Sequence, residues 1–140
     1  MYLLDTCFCI DFMRGKEYAR QAMARVKPSE VAISAVTLGE MFIGAYGAIL
    51  PEKESDKVRA FAAAVPVLPF GSMEAHTWGT IQALLRKTGQ LIGDADAMIA
   101  ATAAAHQLTV VTSNAKHMAR VKDLKVTDWQ EKLPRAKKRE

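Results

Sequence analysis

The chain has 140 residues, enough for one ordinary domain, and it is 50% hydrophobic, 24% charged and only 7% aromatic. That balance excludes a disordered chain, and the alanine content suits packed helices better than a β-sandwich. The formal net charge is +4, carried mostly by the last ten residues, where Lys132, Arg135, Lys137, Lys138 and Arg139 outweigh Glu131 and Glu140.

Tyr2-Leu3-Leu4 reads as a short buried strand ending at Asp5. Thr6 to Arg14 reads as a helix stopped at Gly15, and Glu17 to Lys27 as an amphipathic helix closed by Pro28. Val31-Ala32-Ile33 is a second strand. Thr37 opens a long helix containing Gly39, Gly44 and Gly47, which suggests close packing there. Pro51 opens a charged helix to Val65, and Val67-Leu68-Pro69 is a third short strand. Ser72 is placed to cap a helix through Lys87, ended by Thr88-Gly89. Asp94 to His106 is an Ala-rich helix, and Thr109 to Thr112 is the clearest strand. A short helix over Ala115 to Arg120 and an edge strand over Lys125 to Thr127 complete the pattern.

Short apolar strands alternating with helices predict an α/β fold: a central parallel sheet of short strands sandwiched by helices. Ligands of such sheets bind beyond the carboxyl ends of the strands. The expected organisation is one domain over 1–130 and a basic tail over 131–140, suited to an anionic partner such as nucleic acid. No uncharged apolar run is long enough for a membrane helix, and Met1 to Ile10 lacks a basic leader, so a cytoplasmic protein is expected. Cys7 and Cys9 stand too close in sequence to bridge easily and read as reduced thiols.

Most of the 15 carboxylates fall in charged stretches. Four do not. Asp5 is the only charge between Met1 and Ile10, Glu40 the only one between Val31 and Pro51, and Asp94 and Asp96 the only ones between Leu91 and Ala105. A buried lone carboxylate is costly unless something pairs with it. No Lys or Arg stands beside any of the four. Helix capping is one explanation: Asp5 for the first helix, Thr37 with Glu40 as a capping box, Asp94 as an N-cap. A divalent cation is the other, because Asp5 ends a strand while Glu40 and Asp96 lie where helices begin, and such places converge at one sheet edge. Asp96 shares a helix face with Ile99, Ala100 and Ala103, which turns it inward, whereas Asp94 can turn to solvent. Carboxylate oxygens suit Mg²⁺ or Mn²⁺, which can activate water for displacement at phosphorus.

The residues carry a resemblance. Leu3-Leu4-Asp5-Thr6 looks like the opening of PIN-domain ribonucleases. Ile33 to Glu40, Asp96 to Ala103 and Val111 to Asn114 are similar to their three following segments, in the same order over Met1 to Asp128. The short length is that of the VapC-like toxins of toxin–antitoxin pairs. The resemblance implies a single PIN-like domain, Mg²⁺-dependent endoribonuclease activity with Mn²⁺ as substitute, a VapB-like antitoxin, an RNA substrate and a homodimer. It implies that Asp5, Glu40 and Asp96 are catalytic and metal-binding, with Thr6, Thr112 and Asn114 in support. The sequence departs from the pattern at Cys7, where relatives commonly carry Asn, and at His117, where many carry a fourth acid. Asp94 is a candidate for the missing charge. Two other readings stay open: a weakened PIN-like module acting with an antitoxin in DNA-bound autoregulation, and a small phosphohydrolase that uses Asp5.

Overall fold

A computed structural model describes residues 1–135. Five parallel strands form one sheet in the order β3-β2-β1-β4-β5: β1 Tyr2–Leu4, β2 Val31–Ser34, β3 Val67–Leu68, β4 Thr109–Val111 and β5 Val126–Thr127. Among the described residues seven α-helices surround it: α1 Thr6–Met13, α2 Glu17–Ala24, α3 Ala35–Tyr46, α4 Pro51–Ala64, α5 Ser72–Lys87, α6 Asp94–His106 and α7 Ala115–Met118.

The strands are apolar at consecutive positions because both faces are covered. Leu4, Val31, Ile33 and Val111 join Phe8, Met41, Val58 and Trp129 in one core cluster. Their neighbours Leu3, Ala32 and Val110 join Ile99, Ala100 and Leu85 in the other. This period of two assigns α1 to α4 to one face, and α5 to α7 to the other. Ala97, Ala100, Ala101 and Ala103 are fully buried, so α6 lies close against the sheet.

Several helix ends differ from the sequence expectation. Pro28 begins a 3₁₀ turn over Pro28–Glu30, and α2 has already ended at Ala24. Helix α3 starts two residues earlier than Thr37, because Ser34 Oγ accepts the Thr37 amide at 3.1 Å. The Thr37–Glu40 capping box is therefore absent, and Glu40 lies in the second turn. Gly71 rather than Ser72 is the N-cap of α5, and Glu74 accepts the Gly71 amide at 2.9 Å. Gly93 rather than Asp94 is the N-cap of α6. Gly39 and Gly44 are exposed and face open space, so close packing does not explain them. Gly15 and Gly89 do end their helices, with φ of +77° and +68°, a region that glycine enters freely.

Of the basic tail, Leu133 packs against the core, and the Pro134 carbonyl accepts from Arg25 at 3.1 Å. Residues 136–140 lie outside the described residues. Among the described residues no helix is long and apolar enough to cross a membrane.

Candidate metal centre at the carboxyl edge of the sheet

The chain runs from β1 outward through β2 to β3, then returns to the other side of β1 as β4. The connections thus diverge at the carboxyl ends of β1 and β4, which opens a crevice there. Asp5 sits at this switch point. Its amide continues the ladder to the Val111 carbonyl at 3.0 Å, and its side chain caps α1 by accepting the Phe8 amide at 2.8 Å. The capping and site readings of Asp5 are therefore compatible.

Asp5 is 3% exposed. Burial pushes its carboxyl up to about 6, with the charges of Asp96 and Asp11 adding to the rise. Hydrogen bonds from the Thr112 hydroxyl and the Phe8 amide act the other way. Thr112 Oγ1 also accepts the Asn114 amide at 2.9 Å, so the turn after β4 aims this hydroxyl proton at Asp5.

Glu40 reaches the same edge from α3. Thr6 Oγ1 donates to Glu40 Oε1 at 2.6 Å and lies 3.2 Å from Thr37 Oγ1. A hydroxyl has one proton, so Thr6 gives its proton to the carboxylate and Thr37 supplies the second contact. Thr37 is fully buried.

Asp96, in the first turn of α6, is half-buried. Burial raises its carboxyl, Glu40 raises it further, and His117 draws it down. Asp96 is therefore coupled electrostatically to both Glu40 and His117. His117 and Asn114 are exposed, and the Asn114 side chain makes no cap to α7. Asp94 is exposed and accepts from Gln82 Nε2 at 3.3 Å. It is not among the charges that raise Asp5 or Asp96.

Two further residues meet this edge in roles other than those read from the sequence. Cys7 is exposed, and burial followed by Asp5, Asp96, Asp11 and Glu40 raises its thiol. Thr37, which the sequence places at a helix start, instead contacts Thr6 across 31 positions. Asp11 is drawn aside by Lys16 at 3.2 Å and by the Tyr18 hydroxyl.

Three carboxylates thus share one edge, and no lysine or arginine offsets the rise at Asp5 or Asp96. Among the described residues no three His, Cys, Asp or Glu side chains form a group that could hold an ion by themselves. This donor set fits Mg²⁺, which keeps several waters and takes one or two carboxylates directly.

A family model described as PIN domain matches residues 2–124. The tRNA(fMet)-specific endonuclease VapC of Shigella flexneri is 31% identical over 128 residues, which cover 91% of this chain and 97% of that protein. A ribonuclease VapC2 of Haemophilus influenzae is 28% identical over 91% of this chain and 97% of its own length. Among solved structures, DNA-bound VapBC from Salmonella typhimurium superposes with a TM-score of 0.86 at 32% identity, over 91% of this chain and 97% of that one.

Proposed function

Because the chain belongs to the PIN-domain family, within its VapC group, we propose that it is a divalent-metal-dependent endoribonuclease toxin that hydrolyses RNA phosphodiesters in the cytoplasm and is neutralised by a VapB-like antitoxin. The observation that carries this reading is the convergence of Asp5, Glu40 and Asp96 on one crevice, where Asp96 raises the cost of ionising Asp5, Glu40 raises that of Asp96, and no lysine or arginine offsets either.

Of Asp5, Glu40 and Asp96, one or two would bind Mg²⁺ directly and the rest would act through its waters, with Mn²⁺ as substitute. When bound, the ion supplies Lewis-acid polarisation of the phosphodiester and acidifies the attacking water. The chain's own residues set the frame. Thr112 orients Asp5, and Thr6 orients Glu40 by a 2.6 Å hydrogen bond. Burial of Asp5 and Asp96 lowers the local dielectric, so their charges act strongly on a cation. Asn114 and His117, exposed at the rim, face the RNA.

Ile43, Tyr46, Ile49 and Leu50 form an exposed apolar run at the end of α3, with Ile49 98% exposed. Such an exposed run supports a protein partner, either the antitoxin or a second copy in a homodimer. Residues 1–130 form the nuclease domain in this reading, and the bases of 131–140 add salt-dependent contacts to RNA.

The test is cleavage of RNA by the purified full chain with Mg²⁺, with Mn²⁺ and with a chelator, beside Asp96→Asn and Glu40→Gln. Cleavage that needs the metal and is lost in both variants, with folding retained, is expected. Cleavage that persists in chelator, or at the wild-type rate in either variant, overturns the assignment. A wild-type chain that binds its antitoxin but cleaves nothing leaves the DNA-bound module as the better reading.

A further inference from the structure

Beyond the acid cluster, α5 and the segment leading into α6 enclose a cleft of about 490 Å³ lined by Trp78, Gln82, Arg86, Leu91, Ile92 and Asp94. Trp78, Gln82 and Arg86 are four residues apart, so they form one stripe along α5. Leu91 and Ile92 face them, and Arg120 pins that wall by donating to the Leu91 carbonyl at 3.0 Å. Gly79 lines the cleft on the same side and is exposed, and a Cβ added there would meet nothing within 4 Å. Asp94 borders the cleft in the first turn of α6, the turn that also carries Asp96, with the two side chains on different faces of the helix.

Two polar atoms of this stripe are unmet. Trp78 Nε1 and Gln82 Oε1 are buried without a hydrogen-bond partner. The orientation of the Gln82 amide follows from its neighbours. Its nitrogen donates to the Ile92 carbonyl and to Asp94 Oδ1, both at 3.3 Å. Both are acceptors, so the oxygen is the end left over. Buried unmet groups are rare in folded proteins and call for a partner. Here one donor and one acceptor are unmet beside an open cleft. Both are shielded from water, and the long 3.3 Å bonds leave the amide free to turn toward an incoming group.

We infer that this cleft receives a nucleobase of the substrate RNA next to the scissile phosphate. The inference rests on the endoribonuclease reading above. A base is flat, with an edge carrying both donors and acceptors and a face that packs on an indole. Arg86 is exposed and makes no ion pair among the described residues, which leaves its guanidinium to the adjoining phosphate. The cleft then contributes base preference beside the cut, while the acids perform the reaction.

The experiment compares wild type with Gly79→Leu, which fills the cleft, Arg86→Ala, and Trp78→Phe, which removes only the indole N–H and part of the ring. A short RNA library with randomised positions around the cut gives KM, kcat and base preference. Circular dichroism reports folding, and sedimentation reports the assembly state. Gly79→Leu should raise KM by about tenfold and flatten the preference at one flanking position, with Trp78→Phe acting in the same direction more weakly. If wild type cleaves and folded Gly79→Leu keeps both KM and base preference, the inference fails while the endoribonuclease reading stands. A change of assembly state in Gly79→Leu also overturns it, because the cleft would then serve a contact between copies. If wild type cleaves no RNA, the underlying reading fails and takes the inference with it.

Discussion

Thr6 Oγ1 lies 2.6 Å from Glu40 Oε1 and ties the first residue of α1 to the second turn of α3 across 34 positions of sequence. A hydrogen bond from a neutral hydroxyl to a carboxylate fixes the direction of the acid without cancelling its charge. Thr6→Val keeps the shape and removes the donor. It should cost about 10- to 100-fold in metal affinity or cleavage rate with little loss of thermal stability. Thr6→Ser should recover most of the loss. A Thr6→Val protein with wild-type metal dependence would assign Thr6 to packing alone.

Asp5 titrates at about 6 in the fold, above its ordinary 3.8. The folded state therefore binds the proton more tightly than the unfolded chain. Metal-free stability should fall as pH rises from about 4 through 6 and then level off, by at most about 3 kcal/mol from this one group. Asp5→Asn should flatten that slope, seen in denaturant titrations across the range. Mg²⁺ must compete with the same proton, so its stabilising effect should be weak at pH 5 and strong at pH 7.5. A metal-induced shift of melting temperature that is equal at both values would argue against Asp5 as a ligand.

Cys7 offers a readout independent of RNA. Asp5, Asp96, Asp11 and Glu40 raise its thiol after burial has done so, while Cys9 is buried with its thiol raised further. A cation among those acids would lower the Cys7 thiol and increase its thiolate fraction. Mg²⁺ should accelerate the reaction of Cys7 with a disulfide reagent at pH 8 several-fold, and Asp96→Asn should do so without metal. A rate unchanged by Mg²⁺ would place the ion elsewhere.

His117 draws down the Asp96 carboxyl from a position where an acid would offer a hard oxygen donor. An imidazole suits Mn²⁺ better than Mg²⁺. His117→Glu should raise the rate with Mg²⁺ relative to Mn²⁺, whereas His117→Ala should not. Equal Mg²⁺-to-Mn²⁺ rate ratios in wild type and both variants would make His117 a bystander.

Much of this molecule is legible in its sequence for a local reason. Strands such as Tyr2–Leu4 and Thr109–Val111 are continuous apolar runs because both faces of a parallel sheet are buried. Gly15 and Gly89 mark helix ends because their φ angles are positive. Asp5 and Glu40 stand out because each is the only charge in its segment, and Asp96 because it shares its segment only with Asp94. What the tertiary structure alone decided depends on contacts between distant residues. Capping of α3 by Ser34 displaced the box expected from Thr37 and Glu40, because two backbone registers were equally plausible locally. The Thr6–Thr37–Glu40 relay, the turning of Asp94 toward Gln82, and the combined effect of the acids on the Cys7 thiol arise only when these distant elements come together in the fold. Sequence spacing records which side chains share a helix face; it carries no distance between side chains on different elements, and carboxylate electrostatics depend on that distance.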